Sequence, residues 1–102
     1  MHVATVVGTV WSTKKDPSLV GVRFLIVQPL DAEGRERGET MVAADTIGAG
    51  IGERVLVVHG RAARYLIGRG HDVGMQTAVA GIIDRMELAC GRTIGTTAEH
   101  DT

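Results

Sequence analysis

The sequence predicts an all-β domain in which five short strands close into a small barrel, with one short turn of helix. Three observations carry this reading. Short runs rich in Val, Ile and Leu recur along the chain and are separated by turns containing Gly, Pro or Asp, the spacing of a small closed barrel. Trp, Tyr and Phe occur once each although 44% of the residues are apolar, so the apolar mass is aliphatic and suits pleated strands. A length of 102 residues supports one core and not two.

The elements follow in order. Val3 to Thr13 alternates and is rich in Val and Thr, with Gly8 as a bulge or close-approach point. Lys14 to Ser18 is a turn. Gly21 to Val27 (G-V-R-F-L-I-V) is the strongest strand signal and is stopped by Pro29. Asp31 to Glu39 is charged and contains glycine, which predicts a hairpin tip in water. Thr40 to Ala44 forms a short strand and Arg54 to His59 a fourth. Gly60 to Tyr65 holds enough helix formers for one turn. Ile67 to Thr77, with three glycines, reads as an irregular loop. Ala78 to Leu88 is read as the fifth strand on its Ile-Ile pair and flanking glycines. The polar tail from Gly91 to Thr102 is expected to fray, or to be ordered by a neighbour. Five such strands make an OB-like closed barrel, whose closure removes the edges that Val-rich strands would offer to other chains.

Composition narrows the function classes. A formal charge of −1 lacks the basic excess expected of a protein that works on nucleic acid or anionic membrane. The single cysteine, Cys90, leaves no intramolecular disulfide and fits a reducing cytoplasm. The N-terminus lacks the pattern of a signal peptide, and no apolar run is long enough to span a bilayer. The expectation is a soluble intracellular domain.

The segment Asp45 to Glu53 (D-T-I-G-A-G-I-G-E) looks at first like a phosphate loop. A dinucleotide fingerprint needs G-x-G-x-x-G opening a helix, so that amides at the helix start meet the pyrophosphate. Here Glu53 occupies the third glycine position and a β-branched strand follows. No Gly-Lys-Ser/Thr follows either, which excludes a Walker-type loop. The glycines therefore shape a connection between two strands.

The remaining polar residues give no catalytic constellation. His2, His59, His71 and His100 are scattered, without the converging ligands that a metal site needs. Nothing in the spacing pairs Asp45, Glu53, Asp72 or Asp84, and an Asp at a strand end ordinarily caps a turn. Cys90 has no adjacent base to activate it, which favours a half-buried structural thiol. No catalytic, cofactor or metal residue is predicted. Arg61, Arg64 and Arg69 with His71 form a basic patch that is either a solvated helical face or a holder of carboxylates or phosphate. Trp11, Phe24 and Tyr65 are too few and dispersed for a stacking platform. A mean hydropathy of +0.12 is high for so small a domain and predicts surface hidden against copies of itself.

Five blocks extend the argument: Gly8 to Lys15 (G-T-V-W-S-T-K-K), Leu19 to Pro29 (L-V-G-V-R-F-L-I-V-Q-P), Ala44 to Val57 (A-D-T-I-G-A-G-I-G-E-R-V-L-V), Gly60 to Arg64 (G-R-A-A-R) and Ala78 to Asp84 (A-V-A-G-I-I-D). In this order and with these gaps they resemble the bacterial microcompartment vertex proteins of the EutN/CcmL type. The family often carries a Pro-x-Asp-Ala run where this chain has Gly74 to Thr77, and a small Ser where it has Arg61. The resemblance covers residues 1 to 88, a vertex domain, and leaves residues 89 to 102 as a tail that is flexible or packed on a neighbouring subunit.

The resemblance implies a non-enzymatic, cytoplasmic homopentamer that caps the vertices of a polyhedral shell, beside hexameric and trimeric shell proteins, with no cofactor, nucleic acid or membrane. It further implies subunit or shell contacts at Asp45, Gly48, Gly50, Gly52 and Glu53, at Arg61 and Arg64, and at Lys14 and Lys15. The alternative from a different class is an OB-type binding module for single-stranded nucleic acid or peptide.

Overall fold

A computed structural model describes residues 1–11, 21–67 and 77–101, the side chains of Arg64 and Tyr65 excepted. The elements are β1 (His2–Val10), β2 (Arg23–Pro29), β3 (Met41–Asp45), β4 (Arg54–His59), α1 (Gly60–Ile67), β5 (Thr77–Ile82), β6 (Arg85–Glu87), β7 (Thr93–Gly95) and a 3-10 turn (Ala98–His100). The first five strands form a closed barrel in the order β1-β2-β3-β5-β4. Neighbours run antiparallel except β3 and β5, which are parallel with Ala44 opposite Ala78. The predicted five-stranded closed barrel with one short helix is the architecture observed.

Two hydrophobic clusters explain why β2 and β4 read as near-continuous apolar runs. Leu25 and Val27 point into the barrel with Ala4, Val6, Ala43, Val55, Val57 and Val79. Phe24 and Val58 point outward, where Ala63 and Ile67 of α1 cover them together with Val22, Ala44 and Ala78. A strand buried on both faces loses the polar alternation that a half-exposed strand keeps. Each fully buried Val or Leu contributes roughly 1.5–3 kcal/mol relative to exposure.

The bulge expected at Gly8 is present, as the β1–β2 register shifts between Val6 and Gly8. A Cβ at Gly8 would stand 3.3 Å from Ile26 Cδ1, so the Ile26 side chain fills the space that a larger residue would need. The charged tip after β2 is organised by Asp31, whose Oδ1 accepts N–H bonds from Glu33 (2.8 Å) and Arg35 (3.0 Å). Those two amides, Arg35 foremost, hold the Asp31 carboxyl below its usual pKa.

Several boundaries differ from expectation. The helix runs two residues beyond Tyr65, to Ile67, because Ala63 and Ile67 gain an apolar floor on the barrel. The stretch from Ala78 to Leu88 is two strands rather than one. β5 ends at Ile82, the Ile83 N–H bonds to Arg54 O (2.8 Å), the chain bends at Asp84, and β6 turns away to pair with β7. Pairing with residues downstream, invisible to local periodicity, decides that break. In the tail from Gly91, expected to fray or to be ordered by a neighbour, Thr93 to Gly95 pair with β6 of the same chain. Ile94 is buried against Gly34, where any Cβ would collide with its Cδ1. Arg92 Nη1 donates to Glu33 O at 3.2 Å. Cys90 lies in the turn of this hairpin and is exposed, not half-buried. The expected strand residues Ser12 and Thr13 and the loop glycines Gly68, Gly70 and Gly74 lie outside the described residues.

Candidate functional site

The loop from Asp45 to Glu53 crosses one end of the barrel and is fixed by two carboxylates. The Asp45 side chain, at the end of β3, is fully buried. Its Oδ1 accepts the amides of Ile47 (2.9 Å) and Gly48 (3.1 Å), and its Oδ2 accepts that of Ala49 (3.0 Å). Arg23 Nη1 stands 3.4 Å from the same Oδ2. At the other end of the loop, Glu53 Oε1 accepts the Gly50 N–H at 2.5 Å. Amides that a bound phosphate would require are thus occupied by the chain's own acids, which is the physical reason that the loop is no nucleotide cradle.

The glycines have separate reasons. Gly48 and Gly52 adopt φ of +101° and +91°, a region that costs a side-chain-bearing residue about 1–2 kcal/mol. Gly50 has no such torsion, but a Cβ there would sit 3.2 Å from Glu53 Oε1. Between them Ala49 is fully buried and joins the barrel cluster, stopping the barrel end. The loop is then stitched to β1, with the Gly52 N–H on Val6 O (2.8 Å) and the Val6 N–H on Glu53 O (2.9 Å). Ile47 and Ile51 remain on the outside, 48% and 67% exposed.

Arg54, the first residue of β4, was not among the residues singled out from sequence, and it ties the C-terminal region to this end of the barrel. Its Nη1 and Nη2 reach Asp101 Oδ1 and Oδ2, both at 3.0 Å, and Asp101 Oδ1 also accepts the Gly95 N–H (3.0 Å). Burial works to raise the Asp101 pKa, but the Arg54 hydrogen bond, the Gly95 amide and the charges of Arg54 and Arg92 together hold it below its usual value. Arg54 Nε is buried without a partner. The available signal was an arginine opening an otherwise apolar strand, since a charge so placed needs a partner.

The structure brings Asp45, Gly48, Gly50, Gly52 and Glu53 into one loop. Arg61 is exposed on α1, after β4 has run the length of the barrel, roughly 20 Å from the loop at strand rise. Lys14 and Lys15 lie outside the described residues, as do Arg69 and His71, and nothing is described of the Arg64 side chain. At that far end the rings of His2 and His59 meet edge to face at 4.9 Å. Burial, then His2 and the N-terminus, lower the His59 pKa. Among the described residues no three His, Cys, Asp or Glu converge as a metal set. No helix among them is long and apolar enough to cross a membrane. Phe24 is buried under α1 while Trp11 is 91% exposed, so these two aromatics do not form a stacking surface.

Comparison with known proteins matches residues 1–84 to the family described as "Ethanolamine utilisation protein EutN/carboxysome". The carboxysome shell vertex protein CcmL of Synechocystis sp. is 47% identical over 91 residues, 89% of this chain and 90% of that protein. A solved CcmL carboxysome subunit superimposes with a TM-score of 0.82 at 46% identity, over 89% of this chain and 94% of that one. The GrpN pentameric microcompartment shell protein from Rhodospirillum rubrum does so with a TM-score of 0.77 at 40% identity, over 86% and 99%.

Proposed function

The chain belongs to the EutN/CcmL family, and from that premise we propose that it is a non-enzymatic structural protein, the pentameric unit that closes the vertices of a bacterial microcompartment shell. The observation that carries this reading is the likeness along nearly the whole length to shell vertex proteins, one of them a pentamer of known structure. The physics agrees. A sheet tiled by six-fold units alone stays flat, so a closed polyhedron needs five-fold units at its corners. A cyclic pentamer uses a heterologous contact, one patch of each subunit meeting a different patch of the next until the ring closes. A closed barrel suits this, because it leaves no free edge through which copies would add strands without limit.

In this reading the Asp45–Glu53 loop, with Gly48, Gly50 and Gly52, lies at the contact between subunits. Arg61 and Arg64, with Lys14 and Lys15, meet neighbouring subunits or the hexameric and trimeric shell proteins around the vertex. Native mass spectrometry tests the oligomer directly. The expected species is five chains, and a protein that remains monomeric or dimeric at high concentration removes the assignment.

A further inference from the structure

The four histidines are scattered along the sequence, but the register of the barrel brings two of them together. His2 opens β1 opposite Val57 of β4, and His59 stands two residues further along β4. The two rings meet edge to face with centres 4.9 Å apart. Both residues are exposed, at the end of the barrel away from the glycine loop. On its other side His59 pairs with Thr77 of β5, and its Nδ1 lies 3.1 Å from Thr77 Oγ1. Three neighbouring strands therefore contribute to one small polar cluster, which the glycine loop and the Arg54–Asp101 clamp do not involve.

We propose that His2 and His59 bind one divalent transition-metal ion of the Zn²⁺ class, held by a nitrogen of each imidazole and completed by water. Zn²⁺ takes imidazole nitrogen at about 2.1 Å in tetrahedral geometry. Two imidazoles on one such ion then have ring centres about 5.2 Å apart, close to the spacing of this pair. Thr77 gives His59 the support that metal-binding histidines ordinarily have. In the tautomer whose Nδ1–H donates to the Thr77 hydroxyl, the ring is oriented and Nε2 carries the lone pair that a metal needs. His2 is the ring that turns from edge-to-face contact to present its own nitrogen, which its exposure allows. Imidazole ligands favour Zn²⁺, Cu²⁺ and Ni²⁺ over Mg²⁺ and Ca²⁺, which require oxygen. Among the described residues no third His, Cys, Asp or Glu joins the pair, so water fills the other positions and the ion exchanges readily. Once bound, it pins the start of β1 to the last residue of β4, just before α1 begins.

The probe is Zn²⁺ alone, because unlike Cu²⁺ it does not displace an amide proton to chelate at His2 by itself. Isothermal titration calorimetry near neutral pH compares the chelator-stripped full-length protein with His2→Gln and His59→Gln, and with His100→Gln and Cys90→Ser as controls. Far-UV circular dichroism checks the fold of each sample. The expected result is one ion per chain, bound roughly tenfold or more weakly by either of the first two variants and unchanged in the controls. Nitrogen-15 shifts of the His59 ring should move at Nε2 and not at Nδ1. Should His59→Gln lose its folded spectrum, His2→Gln carries the test, since that side chain is exposed at the start of β1. A wild type that binds no Zn²⁺, or wild-type affinity in either His2→Gln or His59→Gln, overturns the site. So does one ion per two chains, or binding that is lost with His100 or Cys90. Both ligands come from one chain, so a monomer that binds one ion removes the vertex reading and leaves this site standing.

Discussion

The loop that stops the barrel and the hairpin that follows it are held in opposite ways. Asp45 and Glu53 satisfy amides no more than four residues away, so the loop is nearly self-contained once β3 and β4 stand in place. The hairpin of β6 and β7 depends on distant partners: Asp101 on Arg54, 47 residues apart, Ile94 on Gly34, and Arg92 on Glu33. Local satisfaction makes a rigid feature of the barrel itself. Long-range clamps make an appendage that can loosen while the barrel persists. The end of the molecule that carries the loop therefore joins a rigid surface to a separable one.

Breaking the loop is expected to have the largest effect. Asp45→Ala leaves three amides around a buried site without their acceptor and removes the Arg23 ion pair, at a cost of about 3 kcal/mol. Denaturant unfolding at one fixed protein concentration measures it, because stability and assembly are linked. A loss under 1 kcal/mol would show that water replaces the carboxylate and that the loop is not self-contained.

Releasing the hairpin should cost less and stay local. Asp101→Asn removes the charge opposite a buried guanidinium, in a pair that is partly open to solvent, at about 2 kcal/mol. Amide exchange at Ile94 and Gly95 should accelerate while Val57 and Leu25 remain protected. Acceleration throughout the barrel would refute the separation of the two regions. Acid gives the same readout through protonation. The Asp101 pKa is depressed in the fold, so its contribution is complete above the ordinary carboxyl value of 3.8 and is lost as pH falls through the lower folded value. Acceleration confined to the hairpin is expected below pH 3.8 in the wild type and absent in Asp101→Asn.

The smallest effect concerns torsion. Gly52→Ala has open space for its methyl group but keeps φ near +91°, which costs about 1 kcal/mol. Gly38→Ala, also in open space at positive φ but away from this loop, supplies the reference in thermal unfolding. If Gly52→Ala costs several-fold more than Gly38→Ala, backbone strain is not the whole reason for the glycine.

How far the sequence could be read follows the same division. β2 and β4 were legible because continuous aliphatic runs bounded by Gly and Pro leave few alternatives. The Gly8 bulge was legible because glycine inside a strand pattern marks close approach. In the loop, Glu53 and the strand behind it excluded a phosphate role, and Asp45 read as a turn cap, since both act within a few residues. The break at Asp84, the pairing of Thr93 to Gly95 and the Arg54–Asp101 clamp were not legible, because no local pattern names a partner 47 residues away. The outward facing of apolar residues was hidden as well. Ile26 and Val42 are ordinary strand residues until register puts them opposite one another.

The sequence by itself determined a closed barrel of aliphatic strands, the glycine connection between β3 and β4, and the family. Those follow from side-chain type, short-range turn chemistry and the order of five blocks. Only the tertiary structure decided which apolar residues face the barrel interior, which lie under α1 and which remain in solvent. A bulge of one residue reverses the facing of everything beyond it, and that inversion depends on strand pairing rather than on local composition.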